Sequence, residues 1–120
     1  MAIIKSNTSL AAAATAVAAA TPVFATEWDM SALFSGLIVG KISNTGTPPT
    51  TTAPLVIFYA GESTGVKREI WRMSGDLVAS STTVISFRVP KEVKFLNVTI
   101  TGGGVQGSTW ELMGLGFTGP

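Results

Sequence analysis

From Glu27 onward, turn residues punctuate this 120-residue chain about every ten positions, and the runs between them are short and rich in Val, Ile, Phe and Thr. Runs of that length and composition read as the strands of an all-β sandwich or barrel. Two of them alternate cleanly. In residues 82–89, Ile85, Phe87 and Val89 face one way and Ser86 and Arg88 the other, and Pro90 ends the run by withdrawing a backbone donor. In residues 93–101, Leu96, Val98 and Ile100 oppose Asn97, Thr99 and Thr101. A period of 2 therefore prevails over the helical 3.6 through most of residues 31–117.

The remaining strands are read in the same way. Residues 31–43 (SALFSGLIVGKIS) are a long apolar run in which Gly36 and Gly40 suggest a bulge or a break into two strands. Residues 44–54 (NTGTPPTTTAP) cannot sustain a ladder and form a linker. Residues 55–60 (LVIFYA) are apolar on both faces, as expected of a central strand covered on both sides. A hairpin loop at 61–65 and a more polar strand at 66–73 follow, and Gly102, Gly103 and Gly104 make a flexible turn before the last strand, 109–117, where Glu111, Met113, Leu115 and Phe117 share a face.

Composition narrows the chemistry. The chain has no His and no Cys, which excludes the commonest zinc sites, thiol nucleophiles, imidazole-based triads and disulfides. Charged residues are 12% of the chain against 46% hydrophobic, and 8 Lys and Arg against 7 Asp and Glu leave a formal net charge of +1. That balance predicts no nucleic-acid footprint. A domain of six or seven strands in about ninety residues buries only about two thirds of its unfolded surface. Without a disulfide or metal it is marginal alone, and its lightly charged edges invite pairing with another chain.

Residues 1–26 differ in kind. They carry an Ala-dominated run at 10–20 (LAAAATAVAAA), with Lys5 the one cation of the first 25 residues. Three readings compete. Lys5, the Ala run and the small-x-small triplet Val23, Phe24, Ala25 fit a cleaved secretory leader. Small residues also suit an ordered arm lying against a neighbouring subunit. Ala favours helix, with Asn7, Thr8 or Ser9 as N-cap and Pro22 as the stop. The segment is too short and too poor in Leu, Ile and Val for a transmembrane span.

Several patterns carry less than they promise. Residues 61–67 (GESTGVK) have a glycine spacing one residue short of a phosphate-binding loop, Arg68 where a magnesium-holding hydroxyl belongs, and no following helix. Glu27 and Asp29 would share a strand face, but a glycosidase pair also needs an aromatic cleft, and Trp28 between them reads as an anchor for the start of the domain. Lys67, Arg68, Arg72, Arg88, Lys91 and Lys94 are the basic concentration, interleaved with Trp71 and Phe95. Glu69, Asp76 and Glu92 lie among them, so cross-strand ion pairs are the expectation. Trp71, flanked by cations, is expected to be partly exposed at an interface. No enzyme, cofactor or metal site is expected.

The Ala/Thr-rich arm, the linker TGTPPTTTAP, the small Cys-free sandwich and the GGGV turn before the final strand together resemble tailed-bacteriophage virion proteins, in particular small capsid decoration or cement proteins and head or tail accessory subunits. The resemblance implies a repeated subunit, often a trimer, that docks on a major capsid or tail protein in the virion and stabilises the particle. The sequence expectation is thus an all-β protein: a small antiparallel β-sandwich or jelly roll at 27–120, preceded by an Ala-rich N-terminal arm or short helix at 1–26. Leu10, Ala13, Val17, Val23, Phe24, Trp28 and Trp71 are its candidate partner-binding residues, Trp28 being the hinge anchor. The alternative is a secreted module for polysaccharide or a surface receptor, with residues 1–25 removed as a leader. On the arm reading, deleting residues 1–25 leaves the β domain folded and abolishes incorporation into the assembly.

Overall fold

The computed structural model describes residues 4–17, 22–46, 52–63, 66–102 and 107–118. Among them every regular element is a strand: β1 Ile4–Ala16, β2 Pro22–Phe24, β3 Trp28–Asp29, β4 Ser35–Asn44, β5 Leu55–Ser63, β6 Val66–Ser74, β7 Thr82–Val89, β8 Phe95–Thr101 and β9 Ser108–Thr118. One sheet has the order β1-β9-β4-β7, the other β2-β8-β5-β6 with β3 also on β8. The chain is in effect one long hairpin with its tip between β5 and β6: β1 pairs β9, β2 and β3 pair β8, β4 pairs β7, and β5 pairs β6, all antiparallel. Rolling that hairpin up adds the β4–β9 and β5–β8 pairings and yields a jelly roll. The all-β sandwich is as the sequence implies.

The Ala-rich segment is a strand rather than a helix. Its backbone groups pair with β9 from Ile4↔Thr118 to Ala16↔Thr109, with irregularities between Ser9 and Ala11 and between Ala11 and Thr15. Leu10 and Val17 are buried in the core, and the Thr26 amide donates to the Leu10 carbonyl at 2.8 Å, tying the edge of one sheet to the other. Sheet pairing and two buried anchors outweigh the helix preference of alanine, which is only a weak prior. Residues 18–20 of the run and the turn at 103–106 lie outside the described residues, as do positions 47–51 of the linker and 64–65 of the hairpin.

β4 is continuous, neither bulged nor broken at its glycines. Gly36 and Gly114 are on the inner faces of β4 and β9, and Trp28 reaches across from the other sheet to fill the space they leave. A Cβ at either position would stand 2.8 Å from the Trp28 indole, well inside contact distance. Trp28 is buried, with Met30 beside it; Ile38, Ile42, Val56, Phe58, Ile85, Leu96, Val98, Ile100, Trp110 and Leu112 complete the core.

These contacts fix two expectations. Gly114→Ala costs about 2 kcal/mol in urea unfolding, and the same change made on a Trp28→Leu background costs less than about 1 kcal/mol, because the clash it makes has been removed. Deleting residues 1–17 strips an edge strand and two core side chains, so the truncated chain loses cooperative unfolding rather than remaining folded, as circular dichroism would show.

Candidate interaction surfaces

The two ends and two sides of the sandwich are closed by different means. At the end where β4 stops, Asn44 is buried and fully engaged. Its Nδ2 donates to the Asp76 carbonyl, to Asp76 Oδ1 and to the Val78 carbonyl, each at 2.9 Å, while its Oδ1 accepts from Ser108 Oγ at 2.7 Å. Main-chain bonds add to the tie: Thr45 donates to the Gly107 carbonyl at 2.7 Å, and Ser80, in the left-handed region at φ 59°, donates to the Thr45 carbonyl at 3.0 Å. One amide thus gathers the β6–β7 loop and the start of β9 around the end of β4.

Trp71 closes one side. It opposes Phe58 across the β5–β6 pair, stacks on Phe87 of β7 with centroids 4.9 Å apart and 10° between planes, and so bridges the two sheets. It keeps 38% of its surface exposed, beside Ile70 at 41%. Among the described residues, strands β6 and β7 each have a single neighbour, β5 and β4, so both edges along this side are unpaired there.

The outer face of the β1-β9-β4-β7 sheet carries an apolar strip along β4 and β9, bordered by Arg88 and Ser86 of β7, which oppose Leu37 and Val39, and by Asn7 and Ser9 of β1, which oppose Leu115 and Met113. Leu37 opposes Leu115 and Val39 opposes Met113, with Phe117 next along β9 and Val84, 71% exposed, on β7. Lys41 and Glu111, 3.6 Å apart, limit the patch. Beside it the irregular pairing of β1 leaves a cleft of about 340 Å³ lined by Ser9, Ala11, Ala13, Val39, Glu111 and Met113 among others.

The expected partner-binding residues therefore separate into two groups. Leu10, Val17 and Trp28 are held inside the chain's own core, because strand pairing turns them inward, and Val23 is half-buried opposite Ile100. They offer no free docking face, and Trp28 is a core anchor, not a hinge. Ala13, Phe24 (68% exposed) and Trp71 are on the surface, but on different faces. The sequence missed Leu37, Val39, Met113 and Leu115 as surface residues because an apolar run gives no sign of which neighbours lack a cover. Three of the six clustered basic residues are in ion pairs: Lys67 with Glu27, Arg72 with Glu69 at 2.6 Å, Lys94 with Glu62 at 3.2 Å. Asp29 accepts from both the amide and hydroxyl of Ser31, away from Glu27. Among the described residues no cluster of three carboxylates forms a cation site.

No protein family matches the sequence, and no curated protein matches it. Solved structures share the fold. A chain of the Bacillus endospore appendages, which form disulfide-linked pili, superposes with a TM-score of 0.54 at 20% identity over 97% of this chain and 88% of that one. A chain of infectious bursal disease virus, Gx strain, gives 0.56 at 13% identity over 97% of this chain, which spans 32% of that longer one.

Hydrogen bonding to the charged form holds three carboxyls below their ordinary values: Asp76 through the Ser81 hydroxyl and then the Val78 amide, Asp29 through the Ser31 hydroxyl and amide, and Glu69 through Arg72. A carboxyl lowered in the folded state contributes stability that is complete above its unfolded value and is lost as pH falls through the folded one. The urea midpoint is therefore expected to fall as pH drops below about 4, and Asp76→Asn flattens that decline. Asn44→Ala, which deprives the Asp76 and Val78 carbonyls and the buried Ser108 hydroxyl of this partner, costs about 2 kcal/mol at neutral pH in the same assay.

Proposed function

We propose that this protein is a structural subunit that self-associates and docks on the surface of a larger particle, with no catalytic role. The observation that carries this reading is the apolar outer face formed by Leu37, Val39, Val84, Met113, Leu115 and Phe117. A sandwich working alone turns polar side chains outward, whereas here half-buried Leu37, Val39, Leu115 and Phe117 and exposed Met113 and Val84 are turned outward, the kind of apolar surface that another protein covers. Among the described residues the edge of β7 borders this face without a pairing strand and offers main-chain donors and acceptors to a neighbour's strand.

The shared fold supports the reading without naming the assembly. A chain of a Bacillus pilus and a chain of a virus share this fold, and the pilus is a structure that its subunits form together. The sequence resemblance to phage accessory subunits favours a virion, with a major capsid or tail protein as the second partner and a trimer as one form of self-association; an extracellular assembly is the other placement. The chain has no cysteine, so any polymer it forms is held by apolar burial and strand-edge hydrogen bonds and not by the disulfides of the Bacillus pili.

Light scattering across a concentration series tests the proposal. The wild-type protein is expected to exceed 12.4 kDa as concentration rises, with no response to a reducing agent. Replacing Val39 and Met113, which face each other across β4 and β9, with Glu is expected to give a folded monomer. A wild-type chain that stays monomeric at every concentration and does not sediment with phage particles would overturn it.

A further inference from the structure

The outer face of the second sheet is built differently from the first. There Pro22, Phe24, Tyr59, Lys67, Asn97 and Thr99 line a groove of about 350 Å³, at the small end of the sizes of ligand sites. Strand register explains how the sequence places them together. Phe24 on β2 opposes Thr99 on β8, and Asn97, two residues earlier on β8, opposes Tyr59 on β5, so three strands contribute to one concavity. Lys67 comes from β6 and its ammonium pairs with Glu27, in the link between β2 and β3. β5 and β8 lie between those two residues, so this ion pair spans the sheet and closes one boundary of the groove. The Lys67 side chain is only 9% exposed.

We propose that this groove is a binding site for a neutral saccharide, one or two pyranose rings of a longer glycan. The proposal goes beyond the assembly role and does not depend on it. The groove combines the two things that a sugar ring needs. The Phe24 ring, 68% exposed, is an aromatic surface for the C–H face of a pyranose. Asn97 offers two donors and an acceptor, and Tyr59 and Thr99 offer hydroxyls. Among the described residues none of these three side chains makes a hydrogen bond to another protein group, although Thr99 is almost wholly buried and Asn97 and Tyr59 are half-buried. Half-buried polar groups without protein partners are the ones that a ligand hydroxyl can satisfy.

Charge decides between sugar classes. The one cation in the groove is neutralised by Glu27, so the site carries no net charge to attract a phosphate or a uronic acid, and the ion pair would leave the carboxylate opposing an anionic ligand. Trp71, expected from its cationic neighbours to be partly exposed at an interface, is not part of it: one face of its ring is taken up by Phe87.

The test is a titration of the uniformly 15N-labelled full chain with maltotriose, cellotriose, mannotriose and triacetylchitotriose, and separately with inorganic phosphate. At least one trisaccharide is expected to move the amide signals of Phe24, Tyr59, Asn97 and Thr99 saturably in the millimolar range, while phosphate leaves them in place. Phe24→Ala and Asn97→Ala are each expected to weaken that response at least about tenfold, with the remaining spectrum unchanged. In Lys67→Met, which keeps the length and removes the charge, phosphate is again expected to leave these signals in place. The inference is overturned if no trisaccharide moves these signals at about 10 mM, a concentration that would reveal even weak binding. It is equally overturned if phosphate moves them instead, or if Phe24→Ala reduces the size of the assembly and no sugar response is found, which would make Phe24 an interface residue. Light scattering on the same samples reports self-association separately, so failure of the groove and failure of the assembly role are told apart.

Discussion

The indole of Trp28 occupies a slot that exists only because Gly36 and Gly114 have no side chains, and the seating of one sheet on the other depends on that contact. Trp28 belongs to the sheet of β8, the two glycines to the sheet of β4 and β9. A large ring fills the space of two absent side chains, and interiors packed at crystal-like density do not readily relax around a misplaced ring. At the far end the role passes to a polar group. Asn44 ends β4 in the core, and a buried amide is tolerable only when satisfied, so the β6–β7 loop and Ser108 must converge on it. In a chain with neither cysteine nor histidine, one steric fit and one saturated amide thus position the two ends of an apolar core that the Trp71–Phe87 stack closes at the side.

Much of this architecture was legible because alternation is a local signal. The segments around Ile85 and Val98 show their inner and outer faces in the sequence, and the structure buries Ile85, Val89, Leu96, Val98 and Ile100 accordingly. What was not legible depends on partners distant in the chain. Gly36 and Gly40 read as breaks because glycine weakens an isolated strand. Their use appears only once Trp28 is brought against Gly36 and the backbone of Glu111 against Gly40. The Ala-rich run read as helix or arm because its strand state is supplied by β9, about a hundred residues away. Asn44 gave no signal at all in a linker-like stretch, since its partners come from positions 76–81 and 108.

The candidate surfaces divide along the same line. Trp71 was singled out by its charged neighbours and is indeed partly exposed, yet the stack with Phe87 makes it a closure between sheets as much as a surface. Phe24 was expected as part of a continuous docking arm, but register separates it from Leu10 and Val17 by turning it outward against Thr99 while they enter the core. Neither Tyr59 nor Asn97 stood out, because each is an ordinary strand residue until β5 and β8 align them.

The two outer faces of the sandwich thus differ in chemistry in a way that a single lone domain has no need of. One carries an apolar strip along β4 and β9; the other has a groove with hydroxyls and an amide around an aromatic ring. Because they are on opposite layers, covering the first leaves the second open to solvent. A groove of this size has too little contact area to hold a sugar tightly by itself, but copies displayed side by side on a particle or filament turn successive weak contacts into intramolecular ones. Self-association and weak recognition then reinforce each other physically: the apolar face sets the spacing between copies, and that spacing determines whether one glycan can engage several grooves at once.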